Sequence, residues 1–268
     1  MAEDSRTDLK VWGVLAALNL IAALLAVPYT RELLAQSVMP PSDRGLTAHI
    51  ALALVNAAVI MFPAAALGLR LGRRVGLGAP LLATAFERDA SDHARVRSAL
   101  VRGTWIGLAL GALILAGNAL FGPELEQELA RLGRPVPEHP STLAGILGSF
   151  GAGIGEETLL RLFLLTALYR GFFWLARRAP VEPAHARVAY GIANAVAALV
   201  FAALHFGNAN VLGLPLGPLT IASVFLFNGA VGIACGELYR SHGIESAMVA
   251  HTVTDLVIHG LAPALGWA

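Results

Sequence analysis

Seven long apolar stretches decide what this chain can fold into. Crossing the hydrocarbon core of a bilayer takes about 17–25 helical residues. The runs Val11–Val27, Leu46–Leu69, Leu100–Phe121, Val188–Leu204, Gly217–Tyr239 and Ile244–Leu265 each meet that length. A longer block, Thr142–Ala176, would measure about 50 Å as one straight helix, against a hydrocarbon core of roughly 30 Å. It must tilt, protrude or break, and Gly151, Gly153 and Gly155 mark where a break would fall. Lipid offers backbone groups no hydrogen bonds, so long apolar spans are helices. The expected fold is an all-α polytopic transmembrane bundle of seven membrane helices, or eight if the block breaks.

Composition agrees. The 268 residues are 56% hydrophobic and 14% charged, whereas soluble domains carry about a quarter charged residues. Net charge is +1 and no basic stripe with interleaved aromatics occurs, which excludes a nucleic-acid partner. The single Cys235 excludes an intramolecular disulfide framework and any CxxC pair, and its apolar helix makes it a small packing residue. The opening MAEDSRTDLK mixes acids and bases, unlike the basic start of a cleaved signal peptide, so the first span is expected to be retained.

Arginines set the orientation. Arg70, Arg73, Arg74, Arg88, Arg95, Arg97 and Arg102 crowd the loop after the second span, and Arg170, Arg177, Arg178 and Arg187 follow the long block. Arg6, Lys10 and Arg240 fall on the same side if there are seven spans. Only Arg31, Arg44, Arg131 and Arg134 fall on the other. Basic loops stay in the cytoplasm, so the N-terminus is expected there, in a bacterial inner membrane by the Ala-, Gly- and Arg-rich composition. The segment FERDASDHARVRSALVR from Phe86 has the pattern of an amphipathic surface helix; its simplest reading is a solvated loop carrying orienting charge. No internal repeat or separate soluble domain is visible.

Ionisable residues at bilayer depth cost at least a few kcal/mol and are functional candidates by default. Glu156, Glu157 and Arg161 lie on the fourth helix, His205 near the end of the fifth, and His251, Asp255 and His259 on the last. Glu157 and Arg161 stand at i, i+4 with the acid first, the better order for an ion pair. Glu156 points about 100° away. It is left without a local cation, as suits a general base. His251 and Asp255 repeat the i, i+4 spacing, so the carboxylate can hold the imidazole or share a ligand with it. His259, nearer the chain end, reads as interfacial. Phe201 shares a face with His205, and Asn208 and Asn210 follow in a Gly-containing break that would line a cavity.

These residues carry a family resemblance. EETLLR fits E-E-x-x-x-R, FAALH fits F-x-x-x-H and HTVTD fits H-x-x-x-N/D, in that order within about 110 residues. The chain resembles the CPBP family of CAAX-protease and bacteriocin-processing (Abi) membrane proteins and is similar to Rce1-type prenyl endopeptidases. The resemblance covers Thr142 to Leu265. It implies a catalytic helical core at 142–268 and N-terminal membrane helices without a catalytic motif at 1–141. It further implies a glutamate-dependent intramembrane peptidase without metal or other cofactor. Glu156 would activate water, His205 would hold it, Glu157 and Arg161 would support, and His251 and Asp255 would stabilise the oxyanion. An amide at 255 can donate a hydrogen bond, while an ionised carboxylate cannot. Asp255 is therefore either protonated or the group that orients His251. Counted from the presumed cytoplasmic helix ends, His251 lies about 10 Å deep and His205 about 27 Å, so their meeting requires displaced helices. The expected partners are the bilayer and a peptide or protein substrate, membrane-associated, lipid-modified or exported, cut near its C-terminus. The alternative is a non-catalytic membrane partner or regulator of a secretion or sensor system. A proton-coupled transporter would show repeated halves, and zinc would call for a ligand spacing such as HExxH, which is absent.

Overall fold

The computed structural model describes residues 2–37, 45–87, 93–175 and 183–267, and every regular element among them is helical. Helices α1 (Ala2–Leu25) and α2 (Val27–Ala35) are joined through a turn at Ala26. After 38–44, α3 (Leu46–Asn56) passes through a π-helical stretch, Ala57–Met61, into α4 (Phe62–Gly72). The short α5 (Pro80–Glu87) precedes α6 (His93–Arg131). The expected surface segment from Phe86 is thus the end of α5 and the start of α6, apart from 88–92, which lie outside the described residues.

The long block does not break. α7 (Thr142–Glu157), a π-helical segment (Thr158–Leu165) and α8 (Thr166–Leu175) form one continuous rod. α9 (Pro183–Leu204) and α10 (Phe206–Val211) are likewise nearly continuous, with only a tightened turn at His205, whose N–H bonds the Ala202 carbonyl at 3.1 Å. The break expected around Asn208 is helix. α11 (Pro218–His242) leads into α12 (Ile244–Asp255), a π-helical stretch (Leu256–Leu261) and α13 (Ala262–Ala264).

Six helical rods among the described residues are long and apolar enough to cross a membrane: Thr7–Ala35, Leu46–Gly72, His93–Arg131, Thr142–Leu175, Ala184–Val211 and Pro218–His242. The α12–α13 rod has the length for a further span, but Glu245, His251, Asp255 and His259 make it too polar to stand with them. Its α12 half is buried instead, including Ile244, Ser246, Ala247, Ala250, His251 and Thr254.

Glycines permit that burial. Helices in lipid associate through close backbone approach rather than a hydrophobic drive. Gly103, Gly107 and Gly111 of α6 repeat every four residues, and a Cβ at each would strike Val249, Val253 and Val257 in turn. Ser246 Oγ donates to the Ala99 carbonyl (2.8 Å) and Thr254 Oγ1 to that of Gly107 (3.2 Å), so α6 and α12 run parallel in register. The glycines of α7 serve two neighbours. Gly145 and Gly153 lie against His259 and Thr252; Gly148 and Gly151 lie against Tyr29 and Ala26. They are contact points, which is why the rod stays whole.

Contacts sort the two ends of the bundle. At one end Lys10 lies over the Phe86 ring, Asp8 pairs with Arg73, and the Glu245 carboxylate accepts from Leu82 N–H at 2.9 Å. Gly243, at φ +91°, makes the α11–α12 turn against Pro80, a backbone shape that disfavours other residues. At the other end the Arg134 guanidinium donates to the Gly213 carbonyl (2.5 Å), and the Glu32 carboxylate accepts from Ser141 N–H and Oγ.

Candidate active site

Glu156 and Glu157 occupy the last turn of α7, and adjacency sends them to different environments. Glu157 Oε1 lies 3.0 Å from Arg161 Nη1, with both side chains buried, so the i, i+4 pair expected from spacing forms. The same oxygen accepts a hydrogen bond from His251 Nδ1 at 2.8 Å. Arg161 also stacks on Phe201, its guanidinium carbon 4.4 Å from the ring centre, a cation–π contact that offsets part of its desolvation. Glu156 instead faces a cavity, with its side chain 41% exposed and Oε2 4.0 Å from His251 Nε2.

Phe201 joins the histidines. Its ring meets His205 edge-on at 4.7 Å and His251 at 5.5 Å, nearly perpendicular to both. His205 Nδ1 lies 2.9 Å from the Phe201 carbonyl. A carbonyl only accepts, so Nδ1 carries the hydrogen, and Nε2 of the neutral ring presents a lone pair. α9 and α11 run antiparallel, with Tyr190 donating to the Gly236 carbonyl (2.6 Å) and Phe206 meeting Phe225 at 5.4 Å. The two histidines meet across the Phe201 ring and line one cavity despite their different distances from the helix starts.

Asp255 lies deeper in the wall, with Oδ2 3.7 Å from His251 Nε2 and its side chain 13% exposed. That separation is too long for a hydrogen bond. The bond that fixes the His251 ring comes from Glu157, 94 residues away in the chain. Sequence spacing gave no signal for it, because i, i+4 reasoning reaches only along one helix.

The cavity measures about 750 Å³ and brings Glu156, His205, His251 and Asp255 together with Tyr29, Asn208 and His259. His259 lines the cavity close to the bundle end that carries Ser141. Its Nδ1 lies 2.9 Å from His139 Nε2, and Tyr29 packs edge-on to its ring at 5.3 Å. Tyr29 and His139 lie outside the recognised motifs; nothing in their local sequence marks them. Cys235 is buried, with Sγ 3.8 Å from the Ala247 carbonyl, in the packing role expected of it. Among the described residues no group of three or more His, Cys, Asp or Glu side chains is arranged to hold a metal ion. The arrangement offers an exposed carboxylate, Glu156, a more enclosed one, Asp255, a histidine held through Nδ1 by the Phe201 carbonyl, and a second histidine anchored from behind. That set can hold a water molecule and take its proton.

Compared with known families, residues 138–257 match the model of a family described as Rce1-like, type II CAAX prenyl endopeptidase. The matched stretch contains Glu156, Glu157, Arg161, His205, His251 and Asp255. No curated protein and no solved structure matches the chain.

Proposed function

From the match of residues 138–257 to the Rce1-like, type II CAAX prenyl endopeptidase family model, we propose that this chain is an intramembrane peptidase in which Glu156 activates water. The observation that carries this reading is the division between the paired glutamates. Glu157 is buried and committed to Arg161 and His251, while Glu156 is 41% exposed to the cavity and no closer than 4.0 Å to His251 Nε2.

In the proposed reaction a water molecule lies between Glu156 and the His205 Nε2 lone pair. It attacks the peptide carbonyl as Glu156 removes a proton. Negative charge develops on the carbonyl oxygen, near His251 Nε2 and Asp255. Collapse breaks the C–N bond, and Glu156 delivers its proton to the leaving amine, which restores the carboxylate. His251 already donates through Nδ1, so donating to the oxyanion through Nε2 requires the doubly protonated ring. Asp255, not engaged in orienting His251, is assigned as the second donor in its protonated form. Residues 142–268 form the catalytic core in this reading, with 1–141 supplying cavity walls such as Tyr29.

The test is Glu156→Gln. It should reach the membrane at wild-type levels and lose about 10²–10⁴-fold in peptide turnover, the scale of removing general base catalysis. Unchanged turnover by the purified variant removes Glu156 as the base. The same variant, expressed in membranes, should accumulate uncut substrate that mass spectrometry can identify.

A further inference from the structure

We infer that the catalytic cavity opens to the non-cytoplasmic face, so that its substrates are segments of exported polypeptides; this rests on the peptidase reading above. Three observations converge. The first is where the cavity leads. From Glu156 and His251 it continues past Tyr29 and Asn208 to Thr30, His49 and Leu212. Those last three lie within α2, near the start of α3 and just past α10, towards the end of the bundle where Arg134 reaches Gly213.

The second is the distribution of charge. Of the 19 lysines and arginines, fourteen fall by sequence at the opposite end, four at the cavity end, and Arg161 is buried between them. Contacts place that basic end independently: Lys10 with Phe86, Arg73 with Asp8, and Arg240 6.0 Å from the Tyr190 ring centre. Cytoplasmic loops hold the excess of Lys and Arg. A bias this large puts the Arg73 and Arg240 end in the cytoplasm and the cavity mouth outside.

The third is the barrier between them. Towards the basic end the cavity meets a fully buried layer of Arg161, Leu162, Leu165 and Tyr239, with Thr166 Oγ1 bonded to the Tyr239 hydroxyl at 2.8 Å. A separate recess of about 280 Å³ beyond it, lined by Asp8, Arg73, Arg95 and Arg240, shares no lining residue with the catalytic cavity. Water and peptide therefore have an open route to Glu156 from one side and meet a packed layer on the other.

The experiment reads access alone. In a Cys235→Ala background, single cysteines are placed at Gly155, Thr30 and Ala184. Gly155 lines the cavity beside Glu156, and a Cβ there meets nothing within 4 Å. Thr30 is exposed at the mouth, and Ala184 is exposed at the start of α9 on the basic end. A charged, impermeant methanethiosulfonate reagent is added to right-side-out or inverted membrane vesicles. Gly155→Cys and Thr30→Cys should react at least tenfold faster in right-side-out vesicles, and Ala184→Cys at least tenfold faster in inverted ones. Gly155→Cys reacting faster in inverted vesicles, or in neither, overturns the inference, as does a reversal of Thr30→Cys and Ala184→Cys. Labelling does not depend on turnover. An inactive Glu156→Gln with a reversed labelling pattern keeps the chemistry and rejects the direction; the converse pair does the opposite.

Discussion

Two neighbouring glutamates separate by about 100° on a helix, and here that angle sends Glu157 into a buried ion pair and Glu156 to the cavity. Glu157→Gln leaves Arg161 buried without its counter-ion. Removing one member of a buried pair costs about 3–5 kcal/mol, so this variant should accumulate poorly in the membrane and elute as aggregate after detergent extraction. Size-exclusion profiles of tagged protein check this, and a wild-type profile would show that Arg161 is held by other means. Asp255 is the sharper case. Because Glu157 anchors His251, Asp255→Asn should stay within about threefold of wild type, since the amide still donates. Asp255→Ala should lose about 10²–10³, the usual cost of an oxyanion donor. Turnover of one peptide by all three proteins decides, and equal inactivity of Asn and Ala would assign the carboxylate an orienting role. The Glu157–Arg161 pair was legible because both residues lie one turn apart on one helix. The Glu157–His251 bond was not, because it joins helices whose facing sides no spacing rule gives.

At the scale of elements, glycine repeats decide which helices meet. Gly107→Leu should drive its side chain into the Ala250 carbonyl and Val253 and separate α6 from α12. Overpacking of this kind costs about 1–3 kcal/mol or more. The apparent melting temperature in detergent should fall by several degrees or more, while Gly229→Ala, whose Cβ meets nothing within 4 Å, should leave it within a degree or two. Equal melting of the two variants would mean that the α6–α12 contact tolerates spreading. The span positions were readable from apolar length alone. The π-helical segment was not, since Thr158–Leu165 has no marker residue. The Glu157–Arg161 pairing survives it for a geometric reason. A four-residue step falls about 40° beyond a full turn in an α-helix and about 30° short of one in a π-helix of about 4.4 residues per turn. The two side chains stay on one face either way.

Across the whole molecule, the reaction proposed here needs only the chain, water and a substrate. Purified protein should keep its peptidase activity after prolonged chelation, and elemental analysis should find less than about 0.1 metal per chain. Activity lost to chelator and restored by Zn²⁺ would assign the base and histidines to a metal instead. The bundle's polarity was visible in the sequence, through the arginines of its loops. The direction of the cavity was not, because it depends on which helix ends leave a gap and which interdigitate. The α12–α13 rod shows the same divide. Its length suggested a lipid-facing span, yet its first half, Ile244–Thr254, is enclosed by α6, α7 and α11. That enclosure bears on how the protein is made. A segment with Glu245, His251 and Asp255 along it gains little by entering lipid alone, since each acidic residue near mid-bilayer costs a few kcal/mol on insertion scales. Its three neighbours are all synthesised before it. Biogenesis therefore has a built-in order: the apolar rods integrate first, and the helix bearing His251 enters a slot they have already formed. A nascent chain stalled before that step holds Glu157 without its His251 partner, and in the proposed reaction hydrolytic competence arises only when that helix is in place.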